Sequence, residues 1–277
     1  MGSIFVRNFK QLHIHHMYKN NSIKYPFIGS LICGILFLAS CSNREKLQAA
    51  QTAQKDSIPG STGKLTVNQT FNVKDTAAAN QVLLVISSIY TGTYATEMRA
   101  ELAQKGQEAT ERIFNDDVNT YYSYAKTAEP IKFEDHTKAN TLKVTESYTI
   151  SNADFWAMED KKPYKHFRYF TASLIQEHIR NFELEDRTAA LTLRYPANVE
   201  QNISINLPFA TMVPNTFVKH ETAYMYFEFA SRYKGNHIEL HYAYHSLKDH
   251  LEKNELTGYL VAAKKIDALL GYKVMQQ

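Results

Sequence analysis

The stretch that decides the fold is AYMYFEFASRYKGNHIELHYAYHS, residues 223–246. Apolar and polar residues alternate along it, with a break at Lys234-Gly235-Asn236. The apolar positions are Met225, Phe227 and Phe229 before the break and Ile238, Leu240, Tyr242 and Tyr244 after it. Strict alternation on both sides of a short turn that contains glycine is typical of a β-hairpin with one buried face. The stretch therefore predicts two antiparallel strands whose other face meets water.

The polar face of this hairpin carries His237, His241 and His245, spaced four residues apart. On a helix, this spacing would align three imidazoles for a metal such as zinc. The period of two indicates a strand instead, where residues four apart are separated by about 13 Å. Zinc needs its donors about 2 Å from the metal. We therefore expect a solvated histidine face, no metal and no cofactor; the alternative is that one histidine joins a site built across strands.

The same two kinds of spacing organise the rest of the chain. Alternation predicts strands at residues 64–73, 82–90, 131–135, 141–150, 164–170, 189–195, 199–207 and 216–220. Helical spacing predicts helices at residues 94–105, 109–125, 173–180 and 254–270, with Gly106 and Gly271 as caps. The expected fold class is α+β: residues 64–277 form an antiparallel β-sandwich-like domain with a helical hairpin inserted at about 93–126 and a C-terminal helix.

The N-terminal region contains the apolar run FIGSLICGILFLA, residues 27–39, which follows basic residues and ends just before Cys41. The run is shorter than the roughly 20 residues that a transmembrane helix needs. It resembles a bacterial lipoprotein signal peptide. We therefore expect that residues 1–40 are removed, that Cys41 carries a lipid such as palmitate, and that residues 41–63 form a flexible tether. The expected location is the cell envelope, with the lipid in the outer membrane and the domain facing the periplasm; the inner membrane and an uncleaved membrane anchor are the alternatives.

Charge and cysteine content exclude several functions for the body of the chain. Four of the 31 basic residues and none of the 28 acidic residues precede Cys41, so the remaining chain has a net charge of −1. A body without excess positive charge has no electrostatic footprint for nucleic acid. The two cysteines are Cys33 and Cys41, so the body has no thiol for a disulfide, a zinc site or a nucleophile.

Motifs for catalysis are missing from the sequence, and aromatic residues offer one option for binding. The chain has no G-x-S-x-G, H-E-x-x-H or nucleotide-binding glycine motif, and we predict no catalytic residue. Aromatic residues make up 12% of the chain. A group of them could stack against a sugar ring or could belong to the core. The candidate residues are Tyr121, Tyr122, Tyr124, Phe155, Trp156 and Tyr164.

Several short motifs follow one another between residues 65 and 274. They are Tyr90-x-Gly92-x-x-Ala95-x-x-x-Arg99, Glu134-Asp135 with Asn140, Val144-x-Glu146-x-Tyr148-x-Ile150, Phe155-Trp156, Arg187 with Leu191-x-Leu193-x-Tyr195-Pro196, Ile203-x-Ile205-x-Leu207-Pro208, and Leu247-x-Asp249-His250 through Tyr259 to Leu270-Gly271-Tyr272. In order and spacing they resemble the C-terminal region of bacterial envelope transglutaminase-like proteins, whose transglutaminase core is flanked by β-rich domains of unknown function.

The resemblance implies a function without catalysis. In those relatives the Cys-His-Asp core precedes this region, whereas here a signal-like stretch and a tether stand in its place. No catalytic residue of the family has a matching position. We therefore expect an envelope lipoprotein that acts as a binding or scaffolding accessory domain towards another envelope protein, or the product of a shortened gene. Two alternatives remain: a glycan-binding lipoprotein of polysaccharide uptake, and an unrecognised enzyme whose cleft gathers histidine and carboxylates.

Overall fold

The computed structural model describes residues 63–76, 79–158, 166–179, 190–212 and 214–276. The predicted signal-like stretch, Cys41 and the tether up to residue 62 lie outside the described residues, as does Tyr164.

The predicted hairpin is confirmed as the antiparallel strands Met225–Lys234 and His237–Ser246. Gly235 in the turn has a φ of 63°, a left-handed conformation that glycine adopts without strain. On the buried face, the rings of Phe229 and Tyr242 stack with their centroids 4.8 Å apart. The hairpin therefore has one apolar and one polar face, as the alternation indicates.

The hairpin belongs to an eight-stranded sheet. In chain order, the strands outside the hairpin are β1 Lys64–Thr76, β2 Ala79–Thr91, β3 Lys126–His136, β4 Thr141–Ser151, β8 Asn198–Asn206 and β9 Thr216–Glu221, and the hairpin supplies β10 and β11. The order across the sheet is β3-β4-β2-β1-β8-β11-β10-β9. Neighbouring strands are antiparallel except β1 and β8, which are parallel. Two antiparallel halves of four strands thus meet at one parallel seam.

Helices and short strands cover one side of the sheet. The helices are α1 Thr93–Lys105, α2 Gln107–Tyr121, α3 Asn152–Phe155, α4 Ser173–His178 and α5 Leu256–Asp267. The short strands are β5 Ala157–Met158, β6 His166–Thr171 and β13 Gly271–Met275 in one small sheet, and β7 Leu191–Thr192 with β12 His250–Leu251 in another. Helices α1 and α2 form the hairpin predicted after the second strand, with Gly106 between them. The predicted α+β class, β-sandwich-like with an inserted helical hairpin and a helix near the C-terminus, is confirmed.

Two predicted boundaries and the predicted antiparallel pairing differ from the structure. Gly271 does not cap the last helix, because α5 ends at Asp267 with Ala268 as its C-cap, and Gly271 begins β13, which pairs with β6. Of the strand expected at 189–195, the described residues from 190 onwards form strand at Leu191–Thr192, and the chain then passes through Tyr195 and Pro196, which are joined by a cis peptide bond, into β8. The sheet is also not antiparallel throughout, because β1 and β8 run in the same direction.

The core lies between the large sheet and the helices. Its centre is an aromatic cluster around Phe71, whose ring centroid lies 5.3 Å from Tyr122, 6.0 Å from Phe155 and 5.0 Å from Phe170. Edge-on and tilted ring pairs at these distances stabilise a core beyond the area they bury. Gln201 is also fully buried, but its side chain accepts from the Leu174 backbone N–H and donates to Gln69 Oε1. The amide group of Gln201 is thus paired within a largely apolar inner face.

Candidate functional site

The opposite side of the eight-stranded sheet, which faces away from the helices, is here called the outer face. Its central strands carry asparagine and histidine at every fourth residue. The positions are Asn68 and Asn72 on β1, Asn198, Asn202 and Asn206 on β8, and His237, His241 and His245 on β11. Asparagine is depleted in strands, and central strands tolerate it least well without a packing reason. Such departures from local propensity are expected at functional sites.

A first ladder of side chains crosses three strands through Asn68, Asn202 and His241. The Nδ2 of Asn202 donates to Asn68 Oδ1 at 2.9 Å, and His241 Nδ1 lies 2.7 Å from Asn202 Oδ1. Because an amide oxygen only accepts, this imidazole nitrogen carries the proton and donates. The Nδ2 of Asn202 also donates to Glu200 Oε1 at 2.9 Å. Asn202 is therefore fixed by hydrogen bonds on three sides.

A second ladder repeats this arrangement four residues away on each strand. The Nδ2 of Asn206 donates to Asn72 Oδ1 at 2.7 Å, and His237 Nδ1 lies 2.7 Å from Asn206 Oδ1. At the far end, His237 Nε2 lies 3.2 Å from Glu239 Oε1. With a rise of about 3.3 Å per residue, the two ladders are about 13 Å apart. The outer face thus presents the same Asn–Asn–His arrangement twice.

The third Asn–His pair is built differently. Asn198 and His245 are opposite each other in the register, but no hydrogen bond joins their side chains in the described part of the chain. The imidazole of His245 instead packs at 5.4 Å from the ring of Tyr226. Burial, together with the nearby Lys64 charge, lowers the pKa of His245. This end of the outer face is therefore aromatic, whereas its centre is amide-rich.

Each ladder ends in amide hydrogens that face solvent. Among the described residues, the Nδ2 atoms of Asn68 and Asn72 donate to no protein acceptor. At the other end of the first ladder, His241 Nε2 is 3.9 Å from Glu228 Oε1, too far for a hydrogen bond. Among the described residues, the Nδ2 atoms of Asn68 and Asn72 and the Nε2 of His241 are therefore the ladder atoms without a hydrogen-bond partner.

Three lysines on the outer face are each paired with a glutamate. Lys143 contacts Glu134 at 2.8 Å, Lys219 contacts Glu221 at 2.9 Å, and Lys64 contacts Glu200. Burial opposes ionisation of Glu200, but hydrogen bonds from Lys64 and Asn202 lower its pKa. Pairing with glutamate reduces the positive potential that these lysines contribute to the surface.

A small cleft lies on the helical side, between the sheet and helices α1, α2 and α4, and has a volume of about 50 Å³. Its polar lining consists of Tyr94, Glu97, Glu101, Glu177, His178 and Arg194. The cleft therefore brings a histidine together with carboxylates, as the hypothesis of an unrecognised enzyme requires. The cleft holds a few water molecules at most, because each needs roughly 10–15 Å³ of such space. The cleft thus combines the residue types of an active site with a small enclosed space.

The electrostatics of the cleft follow from burial. His178 Nδ1 lies 2.8 Å from the Leu174 carbonyl oxygen and donates to it. Burial, aided by the Arg194 charge, lowers the pKa of His178 to about 4, so the ring is neutral at pH 7. Burial also raises the pKa of Glu97, although Arg194 opposes this. These shifts are the expected result of packing ionisable groups under helices.

The aromatic residues singled out in the sequence do not form an exposed platform. Tyr122, Phe155 and Trp156 are buried, and Phe155 has no exposed surface. Their rings pack in the core, where the Arg168 guanidinium lies 4.7 Å from the centroid of Tyr122. Tyr121 is partly buried against the same core, and only Tyr124 of the described members is well exposed. Most of this group therefore belongs to the core, and its buried members do not form a surface on which a sugar ring could stack.

Residues that carry the family resemblance meet at one end of the sheet. Arg99 donates from Nε and Nη2 to the Asp135 carboxylate at 2.8–3.0 Å, and from Nη1 to Asn140 Oδ1 at 2.6 Å. Asn140 in turn donates from its side chain to the Gly92 carbonyl oxygen at 3.0 Å. These motifs thus tie the start of α1 to the β3–β4 connection, which is a structural role.

The asparagine ladders were not found from the sequence. The histidine spacing was visible, and the predicted strand and outward face of these histidines are confirmed. The asparagines on β1 and β8 become partners only through the parallel seam, which joins residues 134 positions apart. The four-residue spacing of Asn198, Asn202 and Asn206 was a signal that could have been read beside the histidines.

The helices in the described part of the chain are all too short or too polar to span a bilayer. In the same ranges, no three metal-binding side chains are grouped to hold an ion. Comparisons with protein-family models, curated proteins and solved structures find no match to the chain.

Proposed function

We propose that this protein is a lipid-anchored binding protein of the bacterial envelope, without catalytic activity, and that the outer face is its binding surface. The observation that carries this proposal is the pair of Asn–Asn–His ladders, whose ends present polar groups to solvent. Polar groups fixed in advance lose little conformational freedom when a ligand binds. The role agrees with the accessory function that the family resemblance implies.

The anchor is tested by metabolic fatty-acid labelling of the native host, comparing wild type with Cys41→Ala. We expect label in the wild type alone, and movement of the protein from the membrane to the soluble fraction in the variant. Label in neither protein, with no change of fraction, would contradict the lipid anchor. This experiment reports on Cys41 and leaves the outer face intact.

The binding surface is tested with the full-length protein, purified in mild detergent, and an envelope fraction from a host strain that lacks its gene. We expect saturable binding that weakens when Asn68→Ala and Asn72→Ala are combined. These residues end the ladders, so their removal keeps the Asn–His contacts of β8 and β11. Asn119→Ala on α2 is the matched control, because Asn119 is exposed on the helical side.

Two results would contradict the proposed surface. One is the absence of saturable binding to the envelope fraction. The other is equal binding by the double variant and the wild type, provided that both unfold at the same temperature. If the double variant unfolds early, Thr70→Ala, which lies on β1 between the two ladders, provides a second probe of the same surface.

A further inference from the structure

We propose that the ligand of the outer face is an uncharged polysaccharide of the envelope, bound along the row of side chains that begins at Asn68. This inference rests on the proposed binding function and specifies its ligand. In the strand register, Asn68, Asn202, His241, Ala230 and Phe217 stand directly opposite one another on five neighbouring strands. With neighbouring strands about 4.8 Å apart, the row is about 19 Å long. A polymer can therefore follow it across half of the sheet.

Hydrogen-bonding capacity along the row favours hydroxyl groups. Asn68 presents amide hydrogens, which donate, whereas His241 donates from Nδ1 to Asn202 and presents Nε2. In the neutral ring, Nε2 is an acceptor. A hydroxyl group both donates and accepts, so a chain of hydroxyls satisfies both ends of the ladder. Carboxylates and phosphates only accept and would leave the imidazole nitrogen without a donor.

The charge pattern favours an uncharged polymer. Lys143, Lys219 and Lys64 are each paired with a glutamate on the outer face. These lysines therefore supply no unpaired positive charge that would attract an anionic chain. The centre of the face, where the ladders lie, consists mainly of amides, hydroxyls and imidazoles, with the carboxylates of Glu200 and Glu239 among them.

One end of the row offers an exposed ring. Phe217 on β9 is 66% exposed, and its neighbour across the strands is Ala230, which leaves the ring uncovered by a large side chain. An exposed aromatic ring beside a small residue provides a flat apolar surface for the C–H face of a sugar. The aromatic contact that the sequence placed at Tyr122, Phe155 and Trp156 is thus available instead on the opposite side of the sheet.

A protein partner is less well matched to this face. The cores of protein interfaces are enriched in Tyr, Trp, Met and Arg and depleted in Ser, Lys and Glu. Here the central row between the ladders contains Thr70, Ser204 and Glu239. Each of these hydrated groups needs a hydrogen-bonding partner on burial, which a hydroxyl-rich chain supplies at every sugar.

The test uses the envelope fraction described above, divided into portions treated with protease or with periodate, which cleaves vicinal diols of sugars. We expect binding of the full-length protein to survive protease and to be lost after periodate. Binding should also change little between about 0.05 and 0.5 M salt, since an uncharged ligand contributes no screened attraction. The combined Asn68→Ala and Asn72→Ala variant and Phe217→Ala should each bind about tenfold more weakly, whereas Asn119→Ala binds like wild type.

The possible failures are distinguishable. Binding that is lost after protease and survives periodate would overturn the polysaccharide and leave the binding function standing with a protein partner. Binding that falls steeply with salt would overturn the uncharged class. Absence of binding to untreated envelope would overturn this inference and the proposed function together.

Discussion

The two faces of the eight-stranded sheet are made by alternate residues of the same strands, yet they obey different rules. On the inner face, Phe71 and Gln201 are enclosed on all sides, so each atom must either pack or find a hydrogen-bond partner. On the outer face, Asn72 and Asn202 are only half-buried. Each forms a side-chain hydrogen bond with an asparagine on the neighbouring strand, Asn72 with Asn206 and Asn202 with Asn68. Exclusion of water explains the residue types on the inner face, whereas hydrogen bonds between polar side chains are the main feature of the outer face.

The fold explains the residue types on one face of the sheet better than those on the other. A buried aromatic residue on the inner face is explained by the fold alone. Ordered asparagines on central strands are not, because valine or threonine would favour the strand more strongly. The outer face therefore carries residues that strand propensity does not favour, and substitutions on the two faces should differ in their effect on stability.

The largest contrast is expected between two phenylalanines. Phe71→Ala should lower the free energy of unfolding by about 3–5 kcal/mol, since it leaves a cavity within a cluster of three rings. Phe217→Ala, at a mostly exposed position, should change it by no more than about 0.5 kcal/mol. Denaturant unfolding of both variants measures the difference. Similar losses for the two would show that Phe217 is packed and would remove the distinction between the faces.

The next contrast is the pH dependence of stability. His178 on the helical side has a pKa of about 4 in the folded protein and about 6.5 when unfolded. A lowered pKa means that the unfolded chain binds the proton more readily, so stability is complete above pH 6.5 and falls as the pH drops towards 4. The loss should be about 3 kcal/mol.

His178→Gln should remove most of this loss between pH 7 and pH 4, whereas His241→Gln on the outer face should leave it in place. Glu97, Glu177 and Arg194 line the same cleft as His178. The raised pKa of Glu97 acts in the opposite direction, because Glu97 is protonated more readily in the folded protein. Unfolding free energies across the pH range give the measurement. An unchanged slope in His178→Gln would assign the pH dependence to other groups.

The smallest contrast concerns neighbouring residues of β8. Gln201→Ala should cost about 1–3 kcal/mol, because the buried Leu174 N–H loses its acceptor. Asn202→Ala should cost no more than about 1 kcal/mol, since water can replace its hydrogen bonds. Thermal unfolding of the pair is the check. A larger loss for Asn202→Ala would indicate that the ladder supports the sheet as well as the surface.

Sequence periodicity predicted the elements well where one face is buried. The hairpin, the inserted helices and the buried side of α5 all follow from spacing, because burial acts on every second or every third to fourth residue. It failed where the signal is short or where packing decides, as at β13 and the two-residue strand Leu191–Thr192.

The candidate site was only half predictable. The polar face of β11 could be read from the alternation of His237 and His241, but the partners of these histidines could not. Antiparallel neighbours joined by a tight turn are suggested by their sequence, whereas a parallel neighbour can lie anywhere in the chain. The seam joins segments that are far apart in the sequence. The pairing of Asn68 with Asn202 could therefore be identified only from the structure.

The seam between β1 and β8 also sets an order of assembly. A chain that has been made only as far as β4 can form the first antiparallel half, but β1 then has an unpaired edge. The partner strand β8 follows much later, since Asn202 lies 134 residues after Asn68. Closing so large a loop costs conformational entropy before the contacts between the strands can offset it. Until β8 arrives, that edge can accept a foreign strand. We therefore expect slow folding and a nascent chain that aggregates unless a chaperone covers it.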